Sequence, residues 1–200
     1  MLPRDDVRLR LCAITDDLRD GVTGLVERAV AAERGGVTMV LLRLKHAEAQ
    51  TLVLVGRALV QALSIPVVVS ERLDVALACG AAGVQLQADS MPAVGVRSQV
   101  PEGFLIGGSV TDATDTAAAA HADYVTIGPI FGGGAATIGL EGFRRLVAAV
   151  GRPALAIGGI DAGSVRAVLQ AGAAGIAVIE AVFGAPDPQA AAAALMAASR

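Results

Sequence analysis

Arg43 and Lys45 stand two residues apart at the end of an apolar run. If the chain stays extended there, both side chains fall on one side together with Leu41. Two cations aimed at one place suit an anionic ligand, although a pair of solvated charges after a strand would look the same. Glu71 and Arg72 end another apolar run and point to opposite sides, so at most one faces inward while the other is free to pair with an acid such as Asp74. A carboxylate in this place can move a proton or hold Mg2+. It can equally be a helix-start Glu that only meets the helix dipole.

A second set of candidates is made of glycines. Ile157-Gly158-Gly159-Ile160 leads into one helix, and Gly175-Ile176-Ala177-Val178-Ile179-Glu180 leads into a short last one. Such turns let the backbone approach a phosphate dianion and offer it N–H groups. Packing glycines are the alternative. Glu180 is an awkward neighbour for a phosphate unless its side chain turns away. Further polar residues at strand ends are Thr15, Asp16, Ser70, Gln85, Gln87, Asp89 and Ser109. The glycine-rich stretch Gly132-Gly133-Gly134 reads as a lid, or equally as a loop shorn of side-chain chemistry. Neither histidine is well placed: His121 precedes a strand, and His46 lies in a loop.

Positioning these residues requires a scaffold, and the sequence supplies an alternation of short β-rich runs with Ala-rich helical stretches, the signature of parallel βα units. Eight pairs are legible. The strands read Leu11 to Thr15, Thr38 to Arg43, Pro66 to Ser70, Gly83 to Leu86, Phe104 to Gly108, Tyr124 to Gly128, Ala154 to Gly158 and Gly175 to Ile179. Helices are expected to begin near Val22, Ala47, Leu73, Ala93, Asp112, Leu140, Ala162 and Asp187. Thr15-Asp16-Asp17-Leu18 replaces the Gly-rich loop that an open doubly wound sheet would carry after its first strand. A single α/β domain over residues 1–200, a closed (β/α)8 TIM barrel, is therefore expected, with its site at the C-terminal ends of the strands.

Composition narrows the partners. Net charge is −3 with signs interspersed, and aromatic residues are few (one Tyr, four Phe), which leaves no basis for nucleic-acid binding. No run approaches the roughly 18 apolar residues of a membrane span, and the charged N-terminus is wrong for a signal peptide, so a cytoplasmic location is expected. Cys12 and Cys79 sit in apolar segments without ligand spacing and read as buried side chains. The expected partner is a small molecule, and the Ala-rich surface would make a homodimer unsurprising.

Taken together, the segments resemble the thiamine phosphate synthase/TenI family. The pieces are Ala13-Ile14-Thr15-Asp16-Asp17, Arg43-Leu44-Lys45, Glu71-Arg72-Leu73-Asp74-Val75-Ala76-Leu77, Gly83-Val84-Gln85-Leu86, Ile106-Gly107-Gly108-Ser109-Val110, Gly128-Pro129-Ile130-Phe131 and Ala156-Ile157-Gly158-Gly159-Ile160, in the family's order over nearly the whole chain. The resemblance implies a phosphorylated heterocycle as ligand, with Arg43, Lys45 and Glu71 catalytic and Gly158, Gly159, Ile179 and Glu180 holding the phosphate. It further implies substrate contacts from Thr15, Arg72, Gln85, Ser109 and Gly128. Proteins like the synthase join a pyrimidine diphosphate to a thiazole phosphate using Mg2+, which here would fall to Glu71 and Asp89.

The chain departs from the synthase pattern at Leu41 (Gln), Ser70-Glu71 (Asn-Asp), Ser90 (Asp), Gly133-Gly134-Ala135-Ala136 (Thr-x-Thr-Lys) and Glu180 (Ser). Gln85 and Ser90 read like the TenI branch, whose thiazole tautomerisation needs no metal. That branch's own histidines fall on Pro129 and Thr111. The expectation is thus a TenI-like proton-transfer protein without cofactor. The alternatives are a Mg2+-dependent synthase and a non-catalytic barrel that binds a phosphorylated ligand or a partner.

Overall fold

The computed structural model describes residues 3, 6–132 and 137–199. Eight parallel strands close into a barrel in chain order, β1 Leu11–Ile14, β2 Met39–Leu42, β3 Val67–Ser70, β4 Gly83–Leu86, β5 Leu105–Val110, β6 Tyr124–Ile127, β7 Ala154–Ile157 and β8 Gly175–Val178. The helices are α1 Gly21–Arg34, α2 Ala49–Ala62, α3 Leu73–Cys79, α4 Ala93–Arg97, α5 Thr116–Ala119, α6 Gly139–Val150, α7 Val165–Gln170 and α8 Pro188–Ala198. Among the described residues no helix is long and apolar enough to cross a membrane.

The strands are apolar on both faces because each face enters a different core. Leu11, Ala13, Val40, Leu42, Val67, Val69, Val125 and Ile127 point outward and pack under the helices. Their neighbours Cys12, Ile14, Met39, Leu41, Val68, Leu105, Tyr124, Leu155 and Ala177 point inward and fill the barrel. The period of two thus divides one apolar run between two layers. Leu9, from the 3-10 turn Val7–Leu9 ahead of β1, joins the inner cluster and is fully buried. The same burial pushes the Cys12 thiol up to about 12 and the Tyr124 phenol well above its ordinary range. Both cysteines are buried and free.

Most differences from the sequence expectation lie at strand ends, and they matter for the site. Thr15, Arg43, Gly128, Gly158 and Ile179 each fall just beyond their strand, where the backbone can turn. β5 instead runs two residues past Gly108, which keeps Ser109 on the sheet, paired with Thr126. The helix expected from Asp112 is a capped 3-10 turn followed by the short α5, because Asp112 and Asp115 satisfy the turn's N–H groups between them. α7 starts three residues later than Ala162, behind a turn in which Asp161 and Ser164 exchange hydrogen bonds.

Candidate active site

An axial pocket of about 310 Å3 opens at the C-terminal ends of the strands. Each strand contributes to it through its inward phase or the residue just beyond: Ile14, Leu41 and Arg43, Ser70, Gln85, Ser109, Thr126 and Gly128, Ile157, and Ile179. Two further cavities adjoin it. One, about 670 Å3, runs over the ends of β1, β2 and β8 and is lined by Asp16, Arg43, Lys45, His46 and Glu180. The other, about 240 Å3, lies between the ends of β2 and β3, with Arg43, Lys45, Ser70, Glu71 and Arg72. Arg43 lines all three.

The placement of Arg43 follows from Thr15. Thr15 is 1% exposed, and its Oγ1 accepts from the Arg43 backbone N–H (2.8 Å) and donates to the Arg43 carbonyl (3.1 Å). A side chain so engaged clamps the β2 end and has little left for a ligand, while the residue also lines the β1–β2–β8 cavity. Among the described residues neither the Arg43 guanidinium nor the Lys45 ammonium is paired with an acid. Arg8, Arg19, Arg28, Arg72, Arg97 and Arg144 have carboxylate partners; of the described arginines without one, Arg43 is the one that lines these cavities. Lys45 is also the only lysine in the sequence.

Lys45 does not share the axial direction expected for it. β2 ends at Leu42, and the turn closed by Ala47 N–H donating to Leu44 carbonyl re-aims Lys45 into the two outer cavities. Glu71 and Arg72 are likewise off the axis. Arg72 N–H donates to the Ser70 carbonyl (2.7 Å) and Glu71 N–H to the Gln85 carbonyl (2.8 Å), which forces Glu71 to a φ of +64°. This tight turn leaves Ser70 as the residue of β3 that faces the pocket, while exposed Glu71 lines the β2–β3 cavity. Arg72 pairs with Asp74 through two hydrogen bonds (2.8 and 2.6 Å). That guanidinium holds the Asp74 carboxyl down at about 2. Asp16 is engaged as well, by Arg19 and Arg28.

The floor of the pocket is polar. Gln85, 2% exposed, donates from Nε2 to Ser109 Oγ and Thr126 Oγ1, both at 3.2 Å. Its Oε1 is buried without a partner. Thr126 escaped the sequence reading, since it sits between Val125 and Ile127 in an apolar strand. Its phase relative to Tyr124 and Gly128 was the available signal.

The glycine turns combine packing with open donors. Gly158 (φ +101°) lines the pocket, and an added Cβ would stand 2.6 Å from the Pro129 Cβ. Gly159 (φ +63°) is exposed beside Phe131 and does not line the pocket. Within the described residues, the backbone N–H groups of Gly159, Ile160, Glu180 and Ala181 make no hydrogen bond. After β8 one helical turn follows, with Val182 and Phe183 N–H groups donating to the Ile179 carbonyl (3.2 and 3.0 Å). Ile179 lines the axial pocket, whereas exposed Glu180 lines only the β1–β2–β8 cavity. Asp89 is exposed and lines none of the three cavities. Of the Gly132-Gly134 loop, residues 133 and 134 lie outside the described residues, as do 135 and 136.

Comparison with known proteins places the chain in a family. The family model described as thiamine monophosphate synthase matches residues 11–182. A thiamine-phosphate synthase of Albidiferax ferrireducens is 41% identical over 196 residues, covering 92% of this chain and 90% of that protein. One of Roseiflexus castenholzii is 39% identical over 192 residues, with 91% and 84% covered. Among solved structures, a thiamine phosphate pyrophosphorylase from Pyrococcus furiosus superposes with a TM-score of 0.87 at 37% identity, over 98% of this chain and 96% of that one. A 3-hexulose-6-phosphate synthase, at TM-score 0.75 and 22% identity, shares the fold. These relatives are named for the synthase, which favours that reading over the TenI-like one preferred from the motif departures. With the barrel, the polar mouth and the matched residues agreeing, the chain belongs to the thiamine monophosphate synthase family.

Proposed function

We propose that the chain joins a hydroxymethylpyrimidine diphosphate to a thiazole phosphate, releasing pyrophosphate and giving thiamine phosphate. The observation that carries this is Arg43, an acid-free guanidinium common to the axial pocket and both adjoining cavities. A condensation needs two ligands side by side with a charge neutralised between them, whereas a one-substrate proton transfer needs a single pocket. The names of the relatives support the same choice.

In this reading the bond between the pyrimidine methylene carbon and the diphosphate oxygen breaks, its electron pair leaving with pyrophosphate. The thiazole nitrogen then supplies the pair for the new carbon–nitrogen bond, so no oxidation is involved. Arg43 and Lys45 bind the diphosphate, with the Arg43 fork suited to two oxygens at once. Ser109 and Gln85 border the ring, and the free N–H groups after β7 and β8 receive the thiazole phosphate. Glu180 lines the β1–β2–β8 cavity and Gly158 the axial pocket, which supports a phosphate at the turn after β7.

The donor set suits Mg2+ only in company with the diphosphate. Glu71 and Asp89 are exposed oxygen donors on the loops after the neighbouring strands β3 and β4. Among the described residues there is no group of three or more His, Cys, Asp or Glu able to hold a metal by itself. Magnesium sites of one or two carboxylates completed by substrate phosphates are common, so Glu71 and Asp89 would hold the ion together with the diphosphate, where it would supply charge neutralisation to the leaving group. Incubating the protein with both substrates and Mg2+ should yield equal amounts of pyrophosphate and thiamine phosphate. Turnover of the thiazole tautomer with no pyrophosphate from the pair would replace this reading by the proton-transfer one.

A further inference from the structure

We infer that Gln87 reads the edge of the heterocycle in the axial pocket, recognising a ring that carries an amino group beside a ring nitrogen. The inference rests on the pyrimidine reading above and assigns its recognition to a residue of this chain. The pocket walls are largely apolar, with Ile14, Leu41, Ile157 and Ile179 suited to the faces of a flat ring. Discrimination between rings must then come from the few polar groups at its edge.

Gln85 is already committed. Its Nε2 is spent on Ser109 and Thr126, and its buried Oε1 is turned toward Gly107, where a Cβ would collide with it and stand 2.7 Å from the Tyr124 hydroxyl. That places the Gln85 carboxamide in the floor, directed at the barrel interior. Gln87 follows two residues later, one residue beyond the end of β4. It is half-buried and lines the pocket. Its backbone N–H donates to Ser90 Oγ (3.2 Å), which fixes the chain after β4. Among the described residues its side-chain amide makes no hydrogen bond.

A carboxamide presents an acceptor and a donor side by side in one plane, the complement of an N–C–NH2 edge. The same pairing lets Gln read adenine in nucleic acids. Leu41 offers no such group from β2.

The test is calorimetric titration of the full chain with a phosphorylated aminopyrimidine and with its des-amino counterpart, which lacks the donor that the carboxamide would accept from. The wild type should favour the amino form by about tenfold or more. Gln87→Leu should lose that preference, and Gln87→Glu, which keeps only acceptors, should fall between. Unchanged inorganic pyrophosphate binding by both variants would show that the mouth is intact. Full preference retained in Gln87→Leu overturns the inference alone. Failure of the wild type to bind either pyrimidine overturns the pyrimidine reading and the inference with it.

Discussion

Two turns on opposite sides of the mouth, after β3 and after β7, use the left-handed backbone region in contrary ways. Glu71 keeps a side chain at φ +64°, where an L-residue costs about 1–2 kcal/mol. Gly158 dispenses with one at φ +101°, where a Cβ would press on Pro129. The first turn spends stability to hold Glu71 in the cavity that Arg43 and Lys45 also line. The second gives up a side chain so that backbone can border the ligand. One side of the mouth therefore works through side chains and the other through the main chain.

The contrast is broken most severely at Arg43. Arg43→Ala should reduce the pyrophosphate release rate by about 10²–10³-fold, the usual loss for a group aimed at developing charge. Arg43→Lys should recover only part of it, since the charge returns without the fork. A change under about threefold for Arg43→Ala would remove side-chain chemistry from that side of the mouth.

The paired turns come next. Gly158→Ala should lower the melting temperature by roughly 2–10 °C, the equivalent of about 1–3 kcal/mol in a chain of this size. It should also weaken binding of the thiazole phosphate. Glu71→Gly should do the reverse to stability, raising the melting temperature by a few degrees while turnover falls. If both substitutions destabilise, the strain argument at Glu71 is wrong.

Arg72 should have the smallest effect. Its guanidinium is held by exposed Asp74, so Arg72→Ala should change turnover by no more than about threefold. Because Arg72 lowers the Asp74 carboxyl, the pair's small contribution is present above the ordinary aspartate range and fades as pH falls toward 2. In Arg72→Ala, an NMR titration should show Asp74 moving back up. An unmoved Asp74 would leave Arg72 available for the ligand after all.

The barrel was legible because eight short apolar runs alternate with helical stretches. Directions were less legible. Extrapolating strand geometry past Leu42 aimed Lys45 at the axis, and extrapolating it past Ser70 divided Glu71 from Arg72 across a strand that had already ended. Where a strand stops depends on hydrogen bonds such as Arg72 to Ser70, which composition does not display. Thr15 illustrates the other limit: a polar residue at a strand end has the same appearance whether it faces a ligand or grips its neighbour. Thr126 became visible as a pocket residue only once the inward phase of its strand was known.

The inner cluster from Leu9 to Tyr124 has one more consequence. It makes the barrel a vessel with a single opening, since the far end is stoppered by packed side chains. Whatever occupies the axial well must depart by the route it came in, past Arg43, and a second molecule lodged over that gateway would hold it in.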